Sequence, residues 1–218
     1  MVIDIKKKYL FLVAGIIVIL SAAFIVFNSI RNENYEKNVK VCQENIYKLY
    51  FMSTLAASDI QTTWQEYIFD DKKYMDKKTG KFYSSPYDLP ADADEQYCYD
   101  FNDAIVAKVS FLQNRKAFVT MDSLYTATKN LLKELTPAPK KYKDLHEDIN
   151  ELFHTAEAMY NCAILPQGNL QSYTSSINEL YTEYTKQSSK VDIIIGELDE
   201  KKKIKVDFEG RADFFLPK

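Results

Sequence analysis

Residues 170–198, LQSYTSSINELYTEYTKQSSKVDIIIGEL, place apolar side chains at Leu170, Tyr173, Ile177, Leu180, Tyr184, Val191, Ile194 and Leu198. Successive members fall three or four positions apart, the spacing that puts side chains on one helix face, with Gln187 filling the single polar slot. The stretch predicts a long helix with a heptad-like seam, and a seam of that length has to be covered by other helices.

Three further segments repeat the pattern. Pro139 to Leu165 presents Leu145, Ile149, Leu152, Ala156, Met159 and Ala163, opened by Thr136-Pro137-Ala138-Pro139 and closed by Pro166-Gln167-Gly168-Asn169. Proline is tolerated in a first helical turn and disfavours helix just before itself, so both boundaries have a mechanism. Asp94 to Leu135 presents Cys98, Phe101, Ile105, Val109 and Leu112, then Met121, Leu124, Leu131 and Leu135, with a kink expected at Gln113-Asn114-Arg115-Lys116. The earliest segment, ending near Phe69, offers Ile46, Leu49, Ala56, Ile60, Trp64 and Tyr67.

The expected fold is therefore all-α: an antiparallel four-helix bundle over residues 31–198, with a small irregular or hairpin insert at 70–93 between the first two helices. Only five glycines and six prolines occur, which suits long helices better than many short strands. Within the insert, Lys77-Lys78-Thr79-Gly80 reads as a hairpin turn with Gly80 at positive φ. Residues 199–218 read as a C-terminal tail.

At the other end, residues 6–28 are KKKYLFLVAGIIVILSAAFIVFN, three lysines followed by a run from Tyr9 to Phe27 without a charge. Such a run covers roughly the ~30 Å of a bilayer core. Ser21-Ala22-Ala23 could end a cleaved signal, but Phe24 to Phe27 continue the hydrophobicity past it. A retained single-pass transmembrane helix over 9–30 is expected, with the lysine-rich residues 1–8 in the cytoplasm and the bundle outside, a cell-membrane signal-anchor protein. Richness in Lys, Ile, Tyr and Asn suggests a bacterial source. In layout, a span followed by a helical outer domain resembles the sensory half of bacterial chemoreceptors, although no second span or cytoplasmic signalling region follows.

Composition narrows the chemistry. The chain carries 28 basic and 31 acidic side chains, net −3, and the first thirty residues hold three of those lysines and one aspartate. The remainder is more acidic still, which disfavours nucleic acid as a partner. The two histidines lie in HEDINELFH, and Asn150 stands where a zinc-protease helix needs its second histidine. Glu151 and His154 have the spacing of a di-iron bundle, yet Lys143 precedes His146 at that spacing, so the second half is missing. No phosphate-binding glycine loop or nucleophile elbow occurs, and neither a metal nor another cofactor is expected.

The expectation is a non-enzymatic binding or assembly module for a protein or envelope component. Its contact residues would be Tyr74, Phe82, Tyr83 and Tyr87 in the insert and Gln167 and Asn169 in the last turn. The competing readings are an accessory enzyme using Glu151 and His154, and a self-associating structural protein. Cys98 and Cys162 form the one pairing that the expected topology would bring together as a disulfide, with buried free thiols the slightly favoured alternative because Cys98 also fits its helix's apolar face.

Overall fold

The computed structural model describes residues 2–198, with side chains placed for residues 19–196. Five α-helices and a three-stranded sheet follow in the order α1 (Val2–Phe69), β1 (Tyr74–Asp76), β2 (Lys81–Tyr83), β3 (Glu95–Tyr97), α2 (Phe101–Gln113), α3 (Lys116–Glu134), α4 (Lys143–Ile164) and α5 (Leu170–Leu198). Short 3₁₀ turns at Pro86–Asp88 and Lys140–Tyr142 join them.

The expected all-α four-helix bundle is corrected on two counts. A sheet is present, and the single helix read over Asp94 to Leu135 is a strand and two helices. Asp100 takes extended backbone and its carboxylate accepts the Asp103 N–H at 3.0 Å, which starts α2 at Phe101. Arg115 returns to extended backbone (φ −88°, ψ 145°) between α2 and α3, so the expected kink is a complete break.

The transmembrane anchor is corrected as well. Among the described residues, no helix is long and apolar enough to cross a membrane. Residues 9–30 belong instead to the start of the continuous helix α1. The single-pass topology, the signal-anchor, the cell-membrane localisation and the chemoreceptor-like layout fall with the span. The side chains of residues 1–18 and the tail at 199–218 lie outside the described residues.

From Tyr35 onward α1 is the spine of the molecule, in contact with α2, α3, α4 and α5. Val39, Cys42, Ile46, Leu49, Ala56, Ile60 and Trp64 are buried along it, at the three-and-four spacing that makes one apolar stripe. Against that stripe α4 buries Leu145, Ile149, Leu152, Ala156, Met159 and Ala163, and α5 buries Tyr173, Ile177, Tyr184, Val191 and Ile195. Ile195 is buried four positions after Val191, whereas Ile194 is only partly covered. Polar contacts fix the register. Asp148, buried on α4, accepts from Lys190 of α5 at 2.5 Å, and Thr155 donates to Gln187 at 2.8 Å.

The sheet forms a second, smaller core. Its strand order is β2-β1-β3, both pairings antiparallel. Met75 and Phe82 pack with Cys98, Ala104 and Ala107, with Tyr67 and Phe111 at the border, so the sheet is seated on α2.

Candidate functional site

Residues 74–83, YMDKKTGKFY, alternate in a way that sorts side chains to two faces. Met75 lies opposite Phe82 on one neighbour and Gln96 on the other, and this face is the one that packs on α2. Tyr74 lies opposite Tyr83 on β2 and Tyr97 on β3. Directly opposed residues share a face, so Tyr83, Tyr74 and Tyr97 form a row across the outer side of the sheet.

The row continues beyond the strand. The Tyr74 and Tyr97 rings are 5.0 Å apart and tilted, and the Tyr97 and Tyr99 rings are 5.0 Å apart edge to face. Such spacings are those of mutually supporting aromatic pairs. Tyr97 is 39% exposed and Tyr99 82%, while Tyr74 and Tyr83 are half-buried. Tyr67 reaches up from α1 to donate to the Tyr99 carbonyl at 3.4 Å.

The tight turn before β2 holds the row's platform. Asp76 is buried, and its carboxylate accepts the Lys78 and Asp94 N–H groups at 3.0 and 3.1 Å and the Thr79 hydroxyl at 2.8 Å. Burial alone would raise its pKa. The hydrogen bonds from Thr79, Lys78 and Asp94, with the Lys78 charge, outweigh it and hold the carboxyl below its ordinary value. Gly80 follows at φ 70°, a backbone region that side chains with a Cβ rarely enter.

Of the six residues expected to bind, the structure brings Tyr74 and Tyr83 together in the row. Phe82 is on the opposite face, buried in the small core. Tyr87 is 95% exposed on the 3₁₀ turn after Ser85 and has no aromatic neighbour among the described residues. Gln167 is exposed in the α4–α5 connection. Asn169 is a helix cap: its side chain accepts the Ser172 N–H at 2.9 Å, and its own N–H donates to the Ser172 hydroxyl at 3.0 Å. No hydrogen bond or ring contact joins that connection to the sheet among the described residues.

The row's other members, Tyr97 and Tyr99, were missed because Gln96-Tyr97-Cys98-Tyr99 was read as helix. Three strand residues, Glu95–Tyr97, are too few to set a period against the helical spacing of Cys98, Phe101 and Ile105.

All three cysteines are free. Cys98 belongs to the sheet's core and Cys162 packs against the main core, so the disulfide considered for them is not formed. Burial pushes the Cys98 thiol up to about 11 and the Cys42 thiol up to about 12, which suppresses the reactive thiolate.

Glu151 and His154 are both exposed on α4, and no hydrogen bond joins them. His154 instead sits 3.3 Å from Glu157, which accepts from Tyr125 at 2.6 Å, and Lys129 donates to the same phenol at 2.9 Å. This chain lies on the open surface of α3 and α4. No group of three or more His, Cys, Asp or Glu among the described residues has the arrangement to hold a metal ion.

Comparison of the chain with protein-family models, with curated proteins and with solved structures gave no match.

Proposed function

We propose that the protein is a binding module that engages a polypeptide partner through the outer face of its three-stranded sheet. The observation that carries this reading is the in-register row Tyr83, Tyr74 and Tyr97, prolonged by Tyr99 and mounted on a sheet whose other face is packed. Tyrosine gives a large contact area with few rotatable bonds to freeze and a hydroxyl for hydrogen bonding, so aromatic surfaces of this kind suit protein recognition. The backing of Met75 and Phe82 on α2 favours a preformed surface, which lowers the ordering cost of association.

The test uses a photo-crosslinkable phenylalanine analogue placed at Tyr99 and, as a control, at Tyr181, an exposed tyrosine on α5. The chain is expressed in cells of its source organism and irradiated. A discrete protein adduct at position 99 that is absent at 181, and that disappears with Tyr74→Ser, is expected. No adduct at 99, or the same adducts at both positions, would overturn the reading.

A further inference from the structure

Beneath the sheet, on the side away from the tyrosine row, lies a cleft of ≈ 290 Å³ between the 77–80 turn and the C-terminal half of α2. Three cationic side chains line it, Lys77, Lys78 and Arg115, together with the amides of Gln96 and Asn114 and the ring of Phe111. Asp94 and Asp92 pair with the two lysines, which leaves Arg115 as the cation without an acid among the described residues.

Arg115 is the informative member. Its guanidinium lies over the Phe111 ring, 4.3 Å from the centroid, and Nη2 donates to the Lys78 carbonyl at 2.9 Å. No carboxylate pairs with it among the described residues. A guanidinium held by a ring and a carbonyl, half-buried and without an acid, keeps N–H donors and a full charge for an incoming anion. Lys77 and Lys78 do have partners, Asp94 at 3.0 Å and Asp92 at 3.2 Å, but both pairs are largely exposed. Such pairs hold their geometry weakly and are readily exchanged for a ligand anion.

We propose that this cleft binds a small phosphate-bearing ligand. Arg115 would take the phosphate oxygens through its planar fork, Lys77 and Lys78 would supply the remaining charge, and Phe111 would support an apolar or aromatic portion. Arg115, with Lys77 and Lys78 released from their exposed pairs with Asp94 and Asp92, would suit a dianion better than a carboxylate's single charge. The proposal is independent of the tyrosine row, which is on the other face of the sheet.

The full chain is titrated with inorganic phosphate and phenyl phosphate, and separately with acetate and with sodium chloride at matched ionic strength, while amide and arginine side-chain shifts are followed by NMR. Saturable shifts at Arg115, Lys77 and Lys78 with phosphate, tighter with phenyl phosphate, are expected. Arg115→Gln should weaken binding about tenfold or more, and Arg115→Lys should weaken it too because the bidentate fork is lost. Shifts that fail to saturate, that chloride reproduces, or that acetate matches would overturn the proposal, and the wild-type titration decides this even where a variant folds poorly.

Discussion

Lys108 Nζ donates to the carbonyl oxygen of Gly80 at 3.0 Å, across 28 residues of sequence, while lying 2.8 Å from the Asp59 carboxylate. One buried ammonium on α2 thus ties the hairpin turn to α1. Lys108 is buried and Asp59 is partly exposed, so truncating the lysine strands a carbonyl more than it strands a charge. Lys108→Ala should cost about 1–3 kcal/mol, below the usual cost of breaking a fully buried pair. Hydrogen exchange should show the loss first in β1 and β2, with the α4–α5 amides little affected; uniform loss across the chain would mean the sheet and main core unfold together.

Gly80 combines two demands. Its φ of 70° disfavours any Cβ, and a Cβ built there would meet the Phe111 ring at 2.4 Å. Gly80→Ala should therefore destabilise through backbone strain of about 1–2 kcal/mol plus displacement of Phe111. Chemical denaturation gives the total, and loss of Arg115 stacking gives a local signature in the guanidinium resonance.

The hairpin was legible because Lys77-Lys78-Thr79-Gly80 carries turn chemistry between two alternating triplets. Strand β3 was not. Three residues are too few to establish a period, and Cys98, Phe101 and Ile105 supply a helical spacing that extends backwards over it. The face of α5 was legible through Val191, where Ile194 and Ile195 compete for one inward position and the four-residue step prevails. The continuation of the first helix to about Phe69 was legible, whereas the membrane span read over residues 9–30 is overturned because no helix among the described residues is long and apolar enough to cross a membrane. For the tyrosine row, two members could be named from composition, but their alignment depends on cross-strand register, which sequence spacing does not contain.

Asp76 predicts an acid-sensitive sheet. Its folded-state pKa lies below the ordinary 3.8, so its carboxylate contributes fully above that pH and progressively less as pH falls through the lower folded value. Asp76→Asn keeps an oxygen for the Lys78 and Asp94 N–H groups, removes the charge, and replaces the oxygen that accepts the Thr79 hydroxyl with an amide NH2. The variant should be less stable than the wild type at neutral pH and should show a flatter loss below pH 3.8, measured as denaturation midpoints across that range.

His146 predicts a separate, milder dependence. Nε2 lies 3.2 Å from the Thr136 hydroxyl, and that hydroxyl donates to the Leu132 carbonyl, which assigns the ring proton to Nε2. Nδ1 is buried without a partner, and burial lowers the pKa below the ordinary 6.5 despite the opposing Glu147 charge. The unfolded chain then takes up the proton first, so stability should decline as pH falls from 6.5 toward the folded value. His146→Gln should flatten that decline, and an unchanged slope would assign it to other groups.

Trp64 is the chain's only tryptophan, 2% exposed where α1, α2 and α5 meet. Its indole stacks on Phe101 at 5.4 Å and stands edge-on to Tyr173 at 4.5 Å, so one side chain couples the start of α2 to the start of α5. Trp64→Ala should cost about 3–5 kcal/mol, the range for emptying a large aromatic site. Trp64→Phe should cost less, because it keeps the ring contacts and deletes an indole N–H that is buried without a partner. Since either change removes the fluorophore, far-ultraviolet circular dichroism in urea is the measurement. Equal losses for both variants would place the stabilisation in the volume of the indole rather than in its aromatic contacts.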